Sequence, residues 1–397
     1  MKLKDFLPDL KYLKEQGYSS VKIKKWLEKE KGHSVNERSV RRFFEKQGDP
    51  FGNTAVKNTL GSFNMPEDQP WSTAWLKSKE VSLKINNPQQ VLDLDDITEA
   101  IKDGIEGVTK IKTTKPYKTN KKALRAVISD AHVGMETDTE DSMFGFKYNE
   151  KVFKKHLSVV FDNIKDRIDT HGDFDLIIVD DLGDNLDGYD GETTRKGHKL
   201  PQNMSNKEGW KSYVKNKLNT CVNIVNLGAS ERYQFRSVSN DNHSGDWGYT
   251  ANYAIKMAIE SMYDNVEYII LNKHMEHFYY GDHAFLLAHG KDKKNMFKNM
   301  PLHLNDKVSN LIRQYIDHYE IKSKYIHVDK GDLHQVGYNR EPKFDYRNYM
   351  SFAPPSPWIQ SNFGVSYCGF SIQIIPKYSN QIEHTDVFFD LKKTGVK

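Results

Sequence analysis

The sequence predicts a layered α/β body preceded by a small all-α module. From Ala123 onward, short apolar runs alternate with long amphipathic stretches, as expected of sheets covered by helices. Residues 3–46 show only helical spacing, and residues 1–46 carry thirteen Lys/Arg against seven Asp/Glu, a net charge of +6. Between them, from Gly48 to about Pro88, the composition shifts to Gly, Asn, Pro and Ser. The expected division is therefore a helical domain over 1–47, a linker with a short helical segment over 48–122, and a body over 123–397.

In the head, Leu3, Phe6, Leu7, Leu10 and Leu13 share helical spacing, and Gly17 ends that helix. Ser19 and Ser20 offer an N-cap before Val21, Ile23, Trp26 and Leu27, and Gly32 closes this second helix. Asn36 caps a third, with Val40, Phe43 and Phe44 inward and Arg38, Arg41, Arg42 and Lys46 outward. The pattern resembles a helix-turn-helix of the resolvase or transposase type. That resemblance implies that Arg38, Arg41 and Arg42 meet DNA, and the remaining 351 residues, at a net −2, leave the head as the part a polyanion meets first.

In the linker, Trp71 and Trp75 form one apolar patch, and Leu92 to Val108 reads as an amphipathic helix. Lys110, Lys112, Lys115, Lys118, Lys121 and Lys122 then follow without an acid, a run that is solvated or tracks a phosphate backbone. The chain of 397 residues is 37% apolar and 28% charged, which excludes a membrane-spanning class; no membrane partner is expected. Charges interrupt the N-terminus every few residues, so no secretory signal is read there and the cytoplasm is the expected location, a host's if the chain is phage-encoded. Cys221 and Cys368, far apart and flanked by apolar residues, exclude a disulfide framework and read as buried free thiols.

Within the body, strands are expected at Ala123–Ile128, Leu176–Val179, Tyr233–Val238, Val266–Leu271, Ala284–Leu287, Tyr325–Val328, Tyr367–Ile375 and Thr385–Leu391. Phe153, Leu157, Val160, Phe161, Ile164 and Ile168 mark one helix face, and 207–227 reads as another helix. Five of the strands lead into metal-capable side chains. They deliver Asp130-Ala131-His132, Gly183-Asp184-Asn185-Leu186-Asp187, Asn240-Asp241-Asn242-His243, His289-Gly290 and Gly331-Asp332-Leu333-His334. Oxygen and nitrogen donors without a thiolate suit Mn²⁺, Fe or Zn²⁺, and two ions side by side are the natural arrangement.

This ordered set resembles the calcineurin-like metallophosphoesterase superfamily over roughly residues 123–391, and in particular its DNA-repair exonuclease branch, with the look of a phage enzyme. The resemblance implies a four-layer α-β-β-α sandwich and a dinuclear site. Asp130, His132 and His334 would hold one metal, Asp184 would bridge both, and Asn242, His289 and Asp332 would hold the second. His243 would act as the acid near the leaving group, oriented by Asp187.

Two departures stand out. Asp241 and Ser244 flank Asn242-His243 where the family has Gly and an acid, and Asp332 stands where it has His. An aspartate there adds negative charge and favours Mn²⁺ over Zn²⁺.

The polar loop after Asp187 carries Arg195, Lys196, His198 and Lys199, candidates for substrate phosphates. His274 and His277 read as strand surface, His156, His171, His303 and His318 as surface or packing residues, and His327 as a core-edge residue. The combined expectation is a metal-dependent phosphodiesterase acting on nucleic acid, a DNA nuclease or end-processing enzyme. A phosphomonoesterase or nucleotide or protein phosphatase, and a DNA-binding protein with a vestigial site, are the alternatives. Homo-oligomerisation stays open.

Overall fold

The computed structural model describes residues 3–15, 18, 20–46, 73–77, 82–86, 92–108, 120–140, 142–196 and 199–391. They fall into two units, Met1–Asn86 and Asn87–Lys397.

In the first unit a short 3-10 turn, Leu3–Phe6, leads into α1 (Leu7–Glu15), α2 (Ser20–Lys31) and α3 (Glu37–Lys46). Phe6, Leu10, Leu13, Ile23, Leu27, Val40 and Phe44 form their common core. Gly32 ends α2 in the left-handed region at φ 60°, and the Ser39 N–H donates to Asn36 Oδ1 at 2.8 Å, so both expected helix signals operate. Val21 faces outward because it lies one position off the Ser20–Ile23–Leu27 stripe. Arg38 and Arg42 are exposed one turn apart on α3; Gly17 and the side chain of Arg41 lie outside the described residues. Within the expected linker, β1 (Thr73–Lys77) and β2 (Ser82–Asn86) pair as an antiparallel hairpin. Trp71 and the lysine run up to Lys118 lie outside the described residues.

The second unit opens with α4 (Leu94–Ile105), whose capping box joins the Asp96 N–H to Asp93 Oδ1 at 2.9 Å and the Asp93 N–H to Asp96 Oδ2 at 3.1 Å. Its apolar face, with Ala100 buried and Ile97, Ile101 and Ile105 partly so, packs into the largest core of the body.

β3 (Lys122–Ile128), β4 (Leu176–Asp181), β5 (Tyr233–Val238) and β6 (Val266–Leu271) then form a parallel run with helical crossovers α5 (Glu150–His171), α6 (Asn206–Asn226) and α7 (Gly245–Met262). β7 (Glu276–Tyr280), β8 (His283–Ala288), α8 (Asp306–His318), β9 (Tyr325–Lys330), β10 (Gly337–Arg340) and β11 (Asp345–Asn348) follow. The chain ends with α9 (Pro357–Phe363), β12 (Gly369–Pro376) and β13 (Glu383–Phe388).

The strands make a six-stranded sheet ordered β13-β12-β3-β4-β5-β6 and a five-stranded sheet ordered β10-β11-β9-β8-β7. Val127, Leu176 and Ile178 of the first pack against Phe285 and Leu287 of the second, so the sheets share an apolar interior. α5, α6 and α7 cover the outer face of the larger sheet, and Val308, Ile312 and Ile316 of α8 cover the smaller. The expected four-layer α-β-β-α sandwich is what the body adopts. Both cysteines are buried and unpaired. Among the described residues no helix is long and apolar enough to cross a membrane.

His156 of α5 stacks on Phe389 with ring centroids 3.7 Å apart and directs Nδ1 to the Phe352 carbonyl at 3.2 Å. Burial favours the neutral ring and lowers its pKa from 6.5 to about 3. A folded-state pKa below the unfolded one means that the unfolded chain binds the proton first. The resulting stability is present above pH 6.5 and is lost as pH falls from there toward 3, by up to about 1.4 kcal/mol per pH unit. Urea unfolding between pH 7.5 and 4 is expected to show a shallower acid loss in His156→Phe than in the native chain (pH range on the order of three units).

Candidate metal centre

The five motifs converge because the loops after β3, β4, β5, β8 and β9 are hydrogen-bonded to one another. The Asp130 and His132 N–H groups donate to the Gly183 and Asp184 carbonyls at 3.0 and 2.8 Å. The Gly331 N–H donates to the His289 carbonyl at 3.0 Å, and the Asp332 N–H reaches the Asp130 carboxylate at 3.2 Å. Asp130, His132, Asp184, Asp332 and His334 all hold positive φ, between 42° and 73°. Left-handed backbone costs a non-glycine residue on the order of 1–2 kcal/mol, so five such residues in one site mark a conformation imposed by the fold to aim side chains.

Asp130, His132 and His334 bring ligand atoms together, as do Asp130, Asp184 and His289, and His132, Asp187 and His243. His132 Nε2 and His334 Nε2 stand 3.2 Å apart, with Asp130 Oδ1 3.5 Å from the latter. His289 Nε2 lies 3.1 Å from Asp184 Oδ2 and 4.0 Å from Asp332 Oδ1.

The histidines are held from behind. His289 Nδ1–H donates to the Leu182 carbonyl at 2.8 Å, leaving Nε2 toward the carboxylates. Asp187 Oδ1 takes Nδ1 of both His132 and His243, at 3.0 and 3.1 Å. The role expected of Asp187 toward His243 thus has its contact, and the second contact, to the candidate ligand His132, went unread in the sequence. A carboxylate behind a histidine fixes its tautomer and raises its basicity as a ligand.

Burial opposes charge on Asp184, yet His289 and His243 beside it hold its carboxyl well below the ordinary range. Burial likewise works against the imidazolium of His289, but Asp184 outweighs it and lifts the pKa to about 10. His243 is pushed up to about 9 against its burial by Asp184 and Asp187. His334 goes the other way, to about 4, because burial outweighs Asp130. The site therefore concentrates ionised carboxylates around imidazole nitrogens, a set of hard and borderline donors. Its buried Asn242 Oδ1, Asp332 Oδ2 and His334 Nδ1 have no hydrogen-bond partner, and orphaned buried atoms of this kind are costly unless something else engages them. This donor set fits a divalent cation, and the orphaned oxygens of Asn242 and Asp332 are of the same hard-donor kind.

The two departures acquire physical roles. The Asp241 carboxylate accepts from the Ser244 and Gly245 N–H groups at 2.7 and 2.9 Å, tying down the first turn of α7. Ser244 Oγ accepts the Asn185 N–H at 3.1 Å, joining the third motif to the second. Asp332 Oδ1 also meets Lys291 Nζ at 3.0 Å, a cation two residues after His289 that sequence reasoning passed over although it adjoins the motif.

The loop after Asp187 packs beside Asn242, whose carbonyl accepts the Thr194 N–H at 2.8 Å. Arg195 is engaged with Asp292, Nε to the carbonyl at 2.7 Å and Nη2 to Oδ1 at 3.1 Å, and with Asn299 Oδ1 at 3.0 Å. Lys196 and Lys199 are exposed, and His198 lies outside the described residues. His277 bonds the Tyr315 hydroxyl and His274 stacks on Phe297, and neither belongs to a ligand group.

A Cβ on Gly331 would lie 1.8 Å from Ser129 Oγ and 2.9 Å from Asp130 Oδ2. Gly331→Ala must therefore displace Ser129, whose hydroxyl donates to Asp130 Oδ2, and Asp130 with it, and metal titration followed by calorimetry is expected to show affinity lowered about 10- to 100-fold.

No protein-family model and no curated protein sequence matches the chain. Among solved structures it is similar to zinc-bound Vps29 from Entamoeba histolytica, at 14% identity over 67% of this chain and 99% of that one, with a TM-score of 0.30. An archaeal protein described as a novel phosphodiesterase shows 11% identity over 67% and 99%, with a TM-score of 0.30. A hypothetical protein from Pyrococcus horikoshii shows 10% over 68% and 90%, with a TM-score of 0.35.

Proposed function

We propose that the chain is a divalent-metal-dependent phosphodiesterase acting on nucleic acid, most simply a DNA nuclease or end-processing enzyme. The observation that carries the hydrolytic reading is the convergence of Asp130, His132, Asp184, His289 and His334, each of which pairs a ligand atom with a back-side hydrogen bond or a left-handed backbone. Asp130, His132 and His334 would hold one ion and Asn242, His289 and Asp332 the other, with Asp184 between them. Bound there, divalent ions, Mn²⁺ by the hardness of the donor set and Fe or Zn²⁺ as alternatives, supply an activated water and neutralise charge on the phosphoryl group.

The chain's own groups do the rest. Asp187 accepts the Nδ1–H of His243, which leaves Nε2 as the atom that delivers a proton to the departing oxygen. Asp187 also fixes the His132 ring, so one carboxylate aligns ligand and acid. Lys196 and Lys199, exposed on the loop beside Asn242, supply charge for flanking phosphates. The nucleic-acid reading draws on the basic head, where Arg38 and Arg42 present two guanidinia to solvent and Arg41 belongs to the same helix.

End-labelled single- and double-stranded DNA incubated with Mn²⁺ is expected to be cut, the ladder separating exo from endo action. Hydrolysis of a mononucleotide or phenyl phosphate with both DNA forms left intact would assign a phosphomonoesterase instead. The head is tested by the double variant Arg38→Glu with Arg42→Glu. Its DNA affinity is expected to fall and to lose about two units of salt dependence, because two phosphate contacts no longer release counterions, while hydrolysis of a small phosphodiester stays unchanged.

A further inference from the structure

We propose that a cavity between the two sheets, away from the metal centre, binds the phosphate or carboxylate group of a small molecule. The cavity has a volume of 330 Å³, which is the size of small-ligand sites. Its walls come from both sheets, with Arg125, Gln373 and His384 on one side and Phe285, His327 and Arg347 on the other. Arg125 on β3 and His327 on β9 each stand five residues before a candidate ligand, Asp130 and Asp332, a chain separation of at most roughly 16 Å.

Two guanidinium groups carry the inference. Arg125 is fully buried, with Nε on Asp180 Oδ2 at 2.6 Å and Nη1 on Asp329 Oδ2 at 2.6 Å and Gln373 Oε1 at 3.0 Å. Its plane is fixed over the Phe285 ring at 4.6 Å. Nη2, equally buried, has no hydrogen-bond partner among the described residues. A guanidinium so completely satisfied on two nitrogens and not on the third is held for an acceptor that enters from the cavity.

Arg347 lies across from it. Nη1 meets His384 Nε2 at 2.8 Å, an atom that also lies 2.8 Å from Asp386 Oδ1, and the group covers the Tyr338 ring at 5.0 Å; among the described residues no carboxylate forms an ion pair with it directly. Of the other cations lining the space, Lys324, Arg340 and Lys343 are paired with Asp282, Asp345 and Asp317, so the capacity for an anion rests on Arg125 Nη2 and Arg347. An oxyanion between two guanidinia takes charge-assisted bonds from both, which neutral ligands cannot offer.

Calorimetric titration of the full chain with inorganic phosphate, AMP and succinate tests this, the first two against the third separating phosphate from carboxylate. Binding of at least one is expected in the native chain and, unchanged, in Asp184→Asn, which sets aside binding at the metal centre. Arg347→Ala is expected to weaken it about tenfold or more with small-phosphodiester hydrolysis unchanged, and Arg347→Lys, which keeps the charge and loses the fork, to fall between. Equal affinity in both Arg347 variants, loss of binding in Asp184→Asn, or no binding of any of the three at concentrations on the order of 10 mM would overturn the proposal.

Discussion

Asp184→Asn is expected to lower metal-dependent phosphodiester hydrolysis by about a thousandfold or more, roughly 4 kcal/mol of transition-state stabilisation. The substitution keeps the shape: an asparagine oxygen still accepts the His243 N–H that Asp184 Oδ1 takes at 3.0 Å. What it removes is the charge at the point where three histidines meet, with Nε2 of His289, His243 and His132 at 3.1, 3.8 and 3.9 Å from Oδ2. A carboxylate oxygen can be shared by two cations, and a carboxamide serves one weakly. Metal content by mass spectrometry of the native complex should fall from two ions toward one or none, in parallel with activity. An Asp184→Asn chain that kept both ions and more than about a tenth of the native rate would remove Asp184 from the centre.

The sequence makes the site more legible than the scaffold around it. Asp130, His132, Asp184, His289 and His334 stand out because each follows an apolar run, and a strand's end aims the next side chains in a fixed direction. Strands β5 and β6 are found where the apolar runs place them, and β3 and β8 differ by a residue or so at their ends. β4 runs on to Asp181 because its last two residues, although charged, are buried by partners, Asp180 by arginines on the neighbouring strands and Asp181 by Lys217 of α6, and no periodicity announces a paired carboxylate. α7 escapes the reading for a different reason. α7 is mixed in polarity, with Tyr249, Tyr253 and Met257 exposed at spacing four and Ile255 and Ile259 buried, so its apolar residues cover more than one face. The short β10 and β11 are mostly polar and owe their pairing to each other and to β9. The double use of Asp187 needed the third dimension, since His132 and His243 are 111 positions apart in the sequence and meet only when two loops fold over one carboxylate.

The largest effect on stability is expected at Asp180, at a distance from the chemistry. Its two carboxylate oxygens each take a guanidinium Nε at 2.6 Å, Oδ1 from Arg236 and Oδ2 from Arg125, with all three side chains buried. The two arginines are not equally secured. Burial opposes charge on Arg125, but Asp329 and Asp180 together raise its pKa, whereas Arg236 is lowered by burial and by the like charge of Arg125, with Asp180 opposing. Asp180→Asn therefore strands Arg236 above all, leaving it the Phe278 face at 4.6 Å. Removing one partner of a buried ion pair costs about 3–5 kcal/mol, because an uncompensated charge remains inside. The exposed pair Lys165–Asp169, at 3.3 Å, should by contrast change stability by less than about 0.5 kcal/mol when Asp169 is replaced by Asn. Urea unfolding at neutral pH measures both. The double variant Asp180→Leu with Arg236→Leu should recover most of the loss, since two apolar groups in place of a buried pair need no compensation. If Asp180→Asn cost no more than the exposed pair, water would have to reach Arg236, and the interior between β4 and β5 would not be dry.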